Sequence, residues 1–157
     1  MKMFTIRLKP KTIFGLILIL AGIIVISITF FSNHAALSRP AASEVTLETD
    51  AQREDYLTSL GWEFKTPCEE KEVQIPQTFN DTYTQYNEIQ KAQGFDLENY
   101  KGQTATVYTY NITNYAGYES RDCVYANLLV CGGVLIGGDV CSTSASDGFI
   151  EGLQKES

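Results

Sequence analysis

The chain has 157 residues, with 12 Lys and Arg against 19 Asp and Glu, one His and four Cys. All 19 acidic residues but only 8 of the 12 basic ones lie after Phe31, so that part carries a net charge of −11. This sign disfavours nucleic acid and anionic lipid headgroups as partners, and an acidic surface of this kind serves solubility first.

Residues Ile13 to Phe31 hold no charge, and Lys2, Arg7, Lys9 and Lys11 precede them. A bilayer core is crossed by about 20 apolar residues of helix. The run therefore predicts one transmembrane helix. By the positive-inside rule its flanks place residues 1–12 in the cytoplasm and everything after Phe31 outside. The rival is a cleaved signal peptide, but the apolar region of such a peptide is shorter, about 7–15 residues. The chain thus divides into a stub at 1–12, the span at 13–31, an extracytoplasmic tether at 32–48, and a domain at 49–157. The tether is rich in Ala and Ser, and carries Pro40 and the only histidine, His34.

Thr49-x-x-Gln52 is a capping box that opens a helix with Tyr56, Leu57 and Leu60 on its apolar face, and Gly61 closes it. Trp62 to Lys65 reads as a strand, and Thr66-Pro67 as a turn. Glu70 to Ile75 alternates as a strand that Pro76 ends. Phe79, Tyr83, Tyr86, Ile89 and Gln93 recur at helical spacing, which predicts a helix over 79–93 ended by Gly94. Three strands follow, over 104–113, 122–131 and 134–141, the last two joined by Gly132-Gly133 as a two-residue turn with positive φ. The fold class is α+β. Two helices accompany an antiparallel sheet of three to five strands, covered on one face by the helix at 79–93.

Several short motifs run through this region: Gly61-Trp62-Glu63, Ile75-Pro76, Tyr86-Asn87, Gly94-Phe95-Asp96-Leu97, Tyr108-Thr109-Tyr110, Asn114-Tyr115, Gly137-Gly138-Asp139-Val140 and Gly148-Phe149. Together they resemble the family known as domain of unknown function 4830, over about Thr49 to Leu153. The resemblance implies a bacterial cell-envelope protein, membrane- or lipid-anchored, of clostridial and related Gram-positive bacteria. It implies no activity and no site residues.

No C-x-x-C, H-E-x-x-H, G-x-S-x-G or phosphate-loop pattern occurs, so no catalytic, metal or cofactor-binding residue is assigned. The cysteines are disulfide candidates, since all lie in the outer part, where disulfides persist. A β-bulge near Gly137-Gly138 would bring Cys123 opposite Cys141, leaving Cys68 and Cys131 as a second pair. Tyr108, Tyr110, Tyr115, Tyr118 and Tyr125 offer an aromatic platform for a glycan or peptide, against ordinary strand packing. Asp139 beside its two glycines offers a carboxylate at a close-approach loop, against a bulge whose Asp bonds local backbone. A carboxylate pair from Glu69, Glu70 or Glu72 with Asp139 or Asp147 would be needed for glycosidic chemistry, but the alternation of these glutamates with Lys71 is that of a solvated strand face. The function expected is a membrane-anchored, non-enzymatic binding module with an envelope protein or peptide as partner. The alternatives are a small envelope enzyme, hydrolase or thiol exchanger, or an accessory structural subunit.

Overall fold

The protein is described by a computed structural model over residues 44–119 and 121–155. The predicted span at 13–31, the stub and most of the tether lie outside the described residues. Among those described, no helix is long and apolar enough to cross a membrane.

Helix α1 runs Asp50–Ser59 and begins as its capping box requires. The Gln52 amide donates to Thr49 Oγ1 at 3.3 Å, and Gln52 Oε1 accepts from the amides of Thr49 and Glu48 at 3.0 and 2.9 Å. Gly61, at φ +83°, turns the chain out of the helix. Thr49→Ala leaves the Gln52 amide without its acceptor and is expected to cost about 1 kcal/mol, measurable as a lower urea midpoint at unchanged slope.

Five strands follow as a meander in chain order, every neighbouring pair antiparallel: β1 Glu69–Gln74, β2 Thr104–Asn111, β3 Val124–Cys131, β4 Val134–Ser142 and β5 Ile150–Glu151. The expected strand at 62–65 is not one. Its pairing is limited to a bridge from Phe64 to Ile112, flanked by bonds from the Lys65 amide to the Asn111 carbonyl and from the Thr113 amide to the Glu63 carbonyl, while Trp62 turns into the core, where its ring nitrogen donates to the Leu153 carbonyl at 2.7 Å. Strand β5 has no counterpart in the sequence reading. The fold also starts earlier than Thr49. Thr46 bridges Val134, the Leu47 amide donates to the Gly133 carbonyl, and Leu47 is buried. The last residues assigned to the tether therefore belong to the domain.

Between β1 and β2 lies helix α2, Asp81–Ala92, followed by a 3-10 turn at Leu97–Tyr100. Helix α2 starts later than expected because Asn80 is its cap, accepting from the Tyr83 amide at 2.8 Å, while Phe79 stays outside and packs on the Tyr83 ring. Tyr83, Tyr86, Ile89 and Leu97 bury one sheet face with Val73, Val107 and Leu129. The helix thus covers one face as expected, and the opposite face is covered as well. Leu57 of α1, Leu47, Trp62, Phe149 and Leu153 pack there on Tyr110, Ala126, Leu128 and Val140. Capping fixes where α1 starts, but its docking depends on the distant Leu153 segment.

Gly132 and Gly133, at φ +58° and +81°, form the β3–β4 turn. Val130 pairs with Leu135 and Leu129 with Gly137, so Ile136 is the extra residue of a bulge in β4.

Candidate functional site

Three neighbouring strands place polar residues side by side on the face under α2. Thr109 of β2 pairs with Asn127 of β3, which pairs with Asp139 of β4. Thr109 Oγ1 donates to Asn127 Oδ1 at 2.8 Å, and Asn127 Nδ2 donates to Asp139 Oδ1 at 2.9 Å. From α2, the Tyr86 hydroxyl donates to Asp139 Oδ2 at 2.8 Å. Both carboxylate oxygens are thus engaged, and Asp139 is 1% exposed. Burial pushes its carboxyl up to about 6, against the donations from Asn127 and Tyr86 that hold it down. Burial, and then the Asp139 charge, push the Tyr86 hydroxyl and the Cys141 thiol well above their ordinary ranges.

The adjoining glycines have a physical reason. The outer edge of β4 is closed at Gly138 by side chains of α2 instead of a strand. The Gly138 amide donates to Gln90 Oε1 at 2.7 Å, and its carbonyl accepts from Gln93 Nε2 at 2.9 Å. Gln93 Oε1 also accepts from the Leu153 amide at 2.7 Å. These approaches leave no room for a side chain. A Cβ would sit 2.8 Å from Gln90 Oε1 at Gly137 and 2.6 Å from the Asn127 carbonyl at Gly138. Asp139 therefore bonds side chains of α2 and β3 rather than local backbone, and it faces no open loop. Chemically the row is a self-satisfied polar bridge. A substrate reaching it would first have to displace a buried tyrosine.

The carboxylate pair does not assemble. Glu69, Glu70 and Glu72 sit on β1, separated from Asp139 on β4 by two strands. Asp147 lies in the β4–β5 loop, where the hydroxyls of Ser144 and Ser146, and further Arg121, hold its carboxyl well below the ordinary range. Among the described residues, no group of three or more His, Cys, Asp or Glu could hold a metal ion.

All four cysteines are free thiols, which corrects the expected disulfides. The bulge is present, but its extra residue is in β4. That moves the register away from the Cys123–Cys141 pairing and sets Cys141 across from Tyr125. Cys141 and Cys131 pack with the α2 face, Cys123 and Cys68 with the α1 face. Cys131 and Cys141 share a face but stand at opposite ends of the hairpin, about 20 Å apart along the strand. Alkylation of the denatured chain without reductant is expected to label four cysteines, and mass spectrometry would show fewer adducts if any pair were bridged.

The tyrosines do not make one surface. Tyr110 is 1% exposed, in the core beneath α1. Tyr108 carries the Arg53 guanidinium 3.7 Å above its ring. Tyr115 stacks between Trp62 and Phe149 and donates to Glu151 Oε1 at 2.8 Å, and Tyr118 packs edge-on to both Tyr115 and Phe149. Tyr125 lies on the α2 face with Asp139. Strand alternation put Tyr108 and Tyr110 on one face, as found, but could not show that α1 covers it.

Two buried charged residues escaped the sequence reading. Arg53 is 4% exposed and donates from Nη1 to the Leu47 carbonyl at 3.0 Å, with Asp50 beside it. Its position four residues before Leu57 was the available signal, masked by the usual exposure of arginine on helices. Glu151, 7% exposed, sits in the unpredicted β5.

No curated protein matches this chain, and no solved structure does. A family profile described as domain of unknown function (DUF4830) matches residues 56–140, from within α1 almost to the end of β4. That match spans more than half of the chain and includes the Tyr86–Asp139 bridge and the glycines beside it, and the chain therefore belongs to the DUF4830 family.

Proposed function

We propose that this protein is a membrane-tethered binding module. In this reading residues 13–31 are the anchor, residues 1–12 stay cytoplasmic, and the α+β domain works outside the membrane by holding a protein or peptide of the cell envelope. The anchor rests on the uncharged run and its basic flank. The preference for binding over catalysis rests on one observation: Asp139, the carboxylate with a raised pKa in the range useful for acid–base work, is 1% exposed and engaged at both oxygens. A general acid needs reach to a substrate proton. The buried Cys141, held as a thiol at neutral pH, lacks the thiolate that exchange requires.

Two experiments test the two halves. Protease added to intact cells is expected to digest the domain, and survival until lysis would overturn the placement. Mild crosslinking followed by purification of the full chain is expected to recover a partner. Recovery of the chain alone under several growth conditions would overturn the binding role.

A further inference from the structure

Strand β1 is an edge of the sheet: among the described residues it pairs with β2 and with nothing else. The direction of its backbone groups follows from one residue beyond its end. The Ile75 amide donates to the Gln103 carbonyl at 2.9 Å, and the Ile75 carbonyl accepts from the Gly102 amide at 2.8 Å. Ile75 thus points its backbone groups inward. By strand alternation Val73, Lys71 and Glu69 do the same, and Glu70, Glu72 and Gln74 point theirs outward. All three outward residues are exposed. Their side chains lie on one face, opposite the side that carries Val73 into the α2 core. The edge runs six residues without a bulge or an internal proline, two of the devices that usually blunt such an edge.

The charges on this edge select what can pair with it. In an antiparallel ladder, residues that aim hydrogen-bonding groups at each other stand directly opposite. A second copy would thus have to oppose Glu70, Glu72 and Gln74 with the same three residues. Registers centred on the strand place Glu72 against Glu72 or Glu70 against Glu72, and like charges directly opposite destabilise the pair. The same geometry favours a strand with Lys or Arg at alternate positions. We infer that β1 is a docking edge for an extended basic peptide segment, which adds to the sheet as a sixth strand and sets cationic side chains against Glu70 and Glu72. This rests on the binding role proposed above and names the partner's chemistry.

The test uses the full chain in non-ionic detergent and a labelled heptapeptide, Val-Lys-Val-Lys-Val-Lys-Val, followed by fluorescence anisotropy. Controls are the same peptide with Glu for Lys, and the same peptide N-methylated at its central Lys, which keeps the charge and removes an amide that would face β1. The alternating Lys peptide is expected to bind best. Glu72→Pro removes one outward amide and nothing that β2 uses, a substitution edge strands tolerate. It is expected to weaken binding about tenfold, comparable to one or two net hydrogen bonds, with an unchanged circular dichroism spectrum. Should Glu72→Pro perturb the fold, the double variant Glu70→Lys/Glu72→Lys decides instead, and is expected to reverse the preference toward the Glu peptide. Equal binding of the N-methylated peptide would overturn the inference, as would retention of affinity in Glu72→Pro or of preference in the double variant. A crosslinked partner recovered equally with wild type and Glu72→Pro would sink the edge and leave the binding role standing. No partner and no peptide binding would sink both.

Discussion

Asp139→Asn is expected to remove a pH dependence of about 3 kcal/mol from folding stability. The folded carboxyl is raised from 3.8 to about 6, with burial as the leading cause. A group raised in this way favours folding while it is protonated. Its contribution is fully present below the unfolded value and is lost as pH rises through the folded one. The wild type should therefore lose stability relative to the variant between about pH 4 and about pH 7, and then level off. Asparagine can keep the geometry, since its oxygen accepts from Asn127 and its amide donates to the Tyr86 hydroxyl oxygen. Comparing the two proteins by denaturant melts across this range cancels the other carboxylates, including the exposed Asp147, whose pKa moves the opposite way. Parallel curves would show that Asp139 ionises alike in the folded and unfolded chain.

Gly138→Ala is expected to destabilise the fold by about 3 kcal/mol, the upper part of the range for forcing atoms into a filled space. Its Cβ would fall 2.6 Å from the Asn127 carbonyl oxygen and 2.6 Å from Leu153 Cδ1. The first of these is backbone of the paired strand, so it cannot swing aside. Gly137→Ala meets Gln90 Oε1 at 2.8 Å, the end of a side chain, and is expected to cost less. That relief still has a price, because Gln90 Oε1 holds the Gly138 amide. Thermal melts of both variants would rank them, and a reversed order would mean that β4 shifts as a unit rather than staying clamped to β3.

What was legible in the sequence is what neighbouring residues decide. Thr49 and Gln52 make their cap within one turn, and Gly132-Gly133 make theirs within two residues. The pairing of β3 with β4 could be read because a two-residue link forces those strands together. The bulge was legible as a place but not as a direction, because an extra residue in either strand satisfies the local pattern. What selects β4 is the grip of Gln90 and Gln93 on Gly138, more than 40 residues away in the chain. The cysteine pairing failed with that one-residue slip. The choice for Tyr110 between platform and strand packing, and the burial of Arg53, were not legible for a related reason. Each lies under a contact between α1 and the sheet, and a helix with only Leu57 and Arg53 buried carries little amphipathic signal of its own. The fate of Asp139 needed Tyr86, which the helical spacing assigned only to an apolar face.

The pairing of residues 45–47 with the β3–β4 hairpin has a mechanical consequence. Tension applied at residue 44 would load the bond from Leu135 to Val45 first, then the one from Leu47 to Gly133, and only afterwards the cap at Thr49. These contacts would open one after another, like a seam drawn from its end. A modest pull would therefore free a few residues from the hairpin and bare its rim, leaving the sheet beyond it folded.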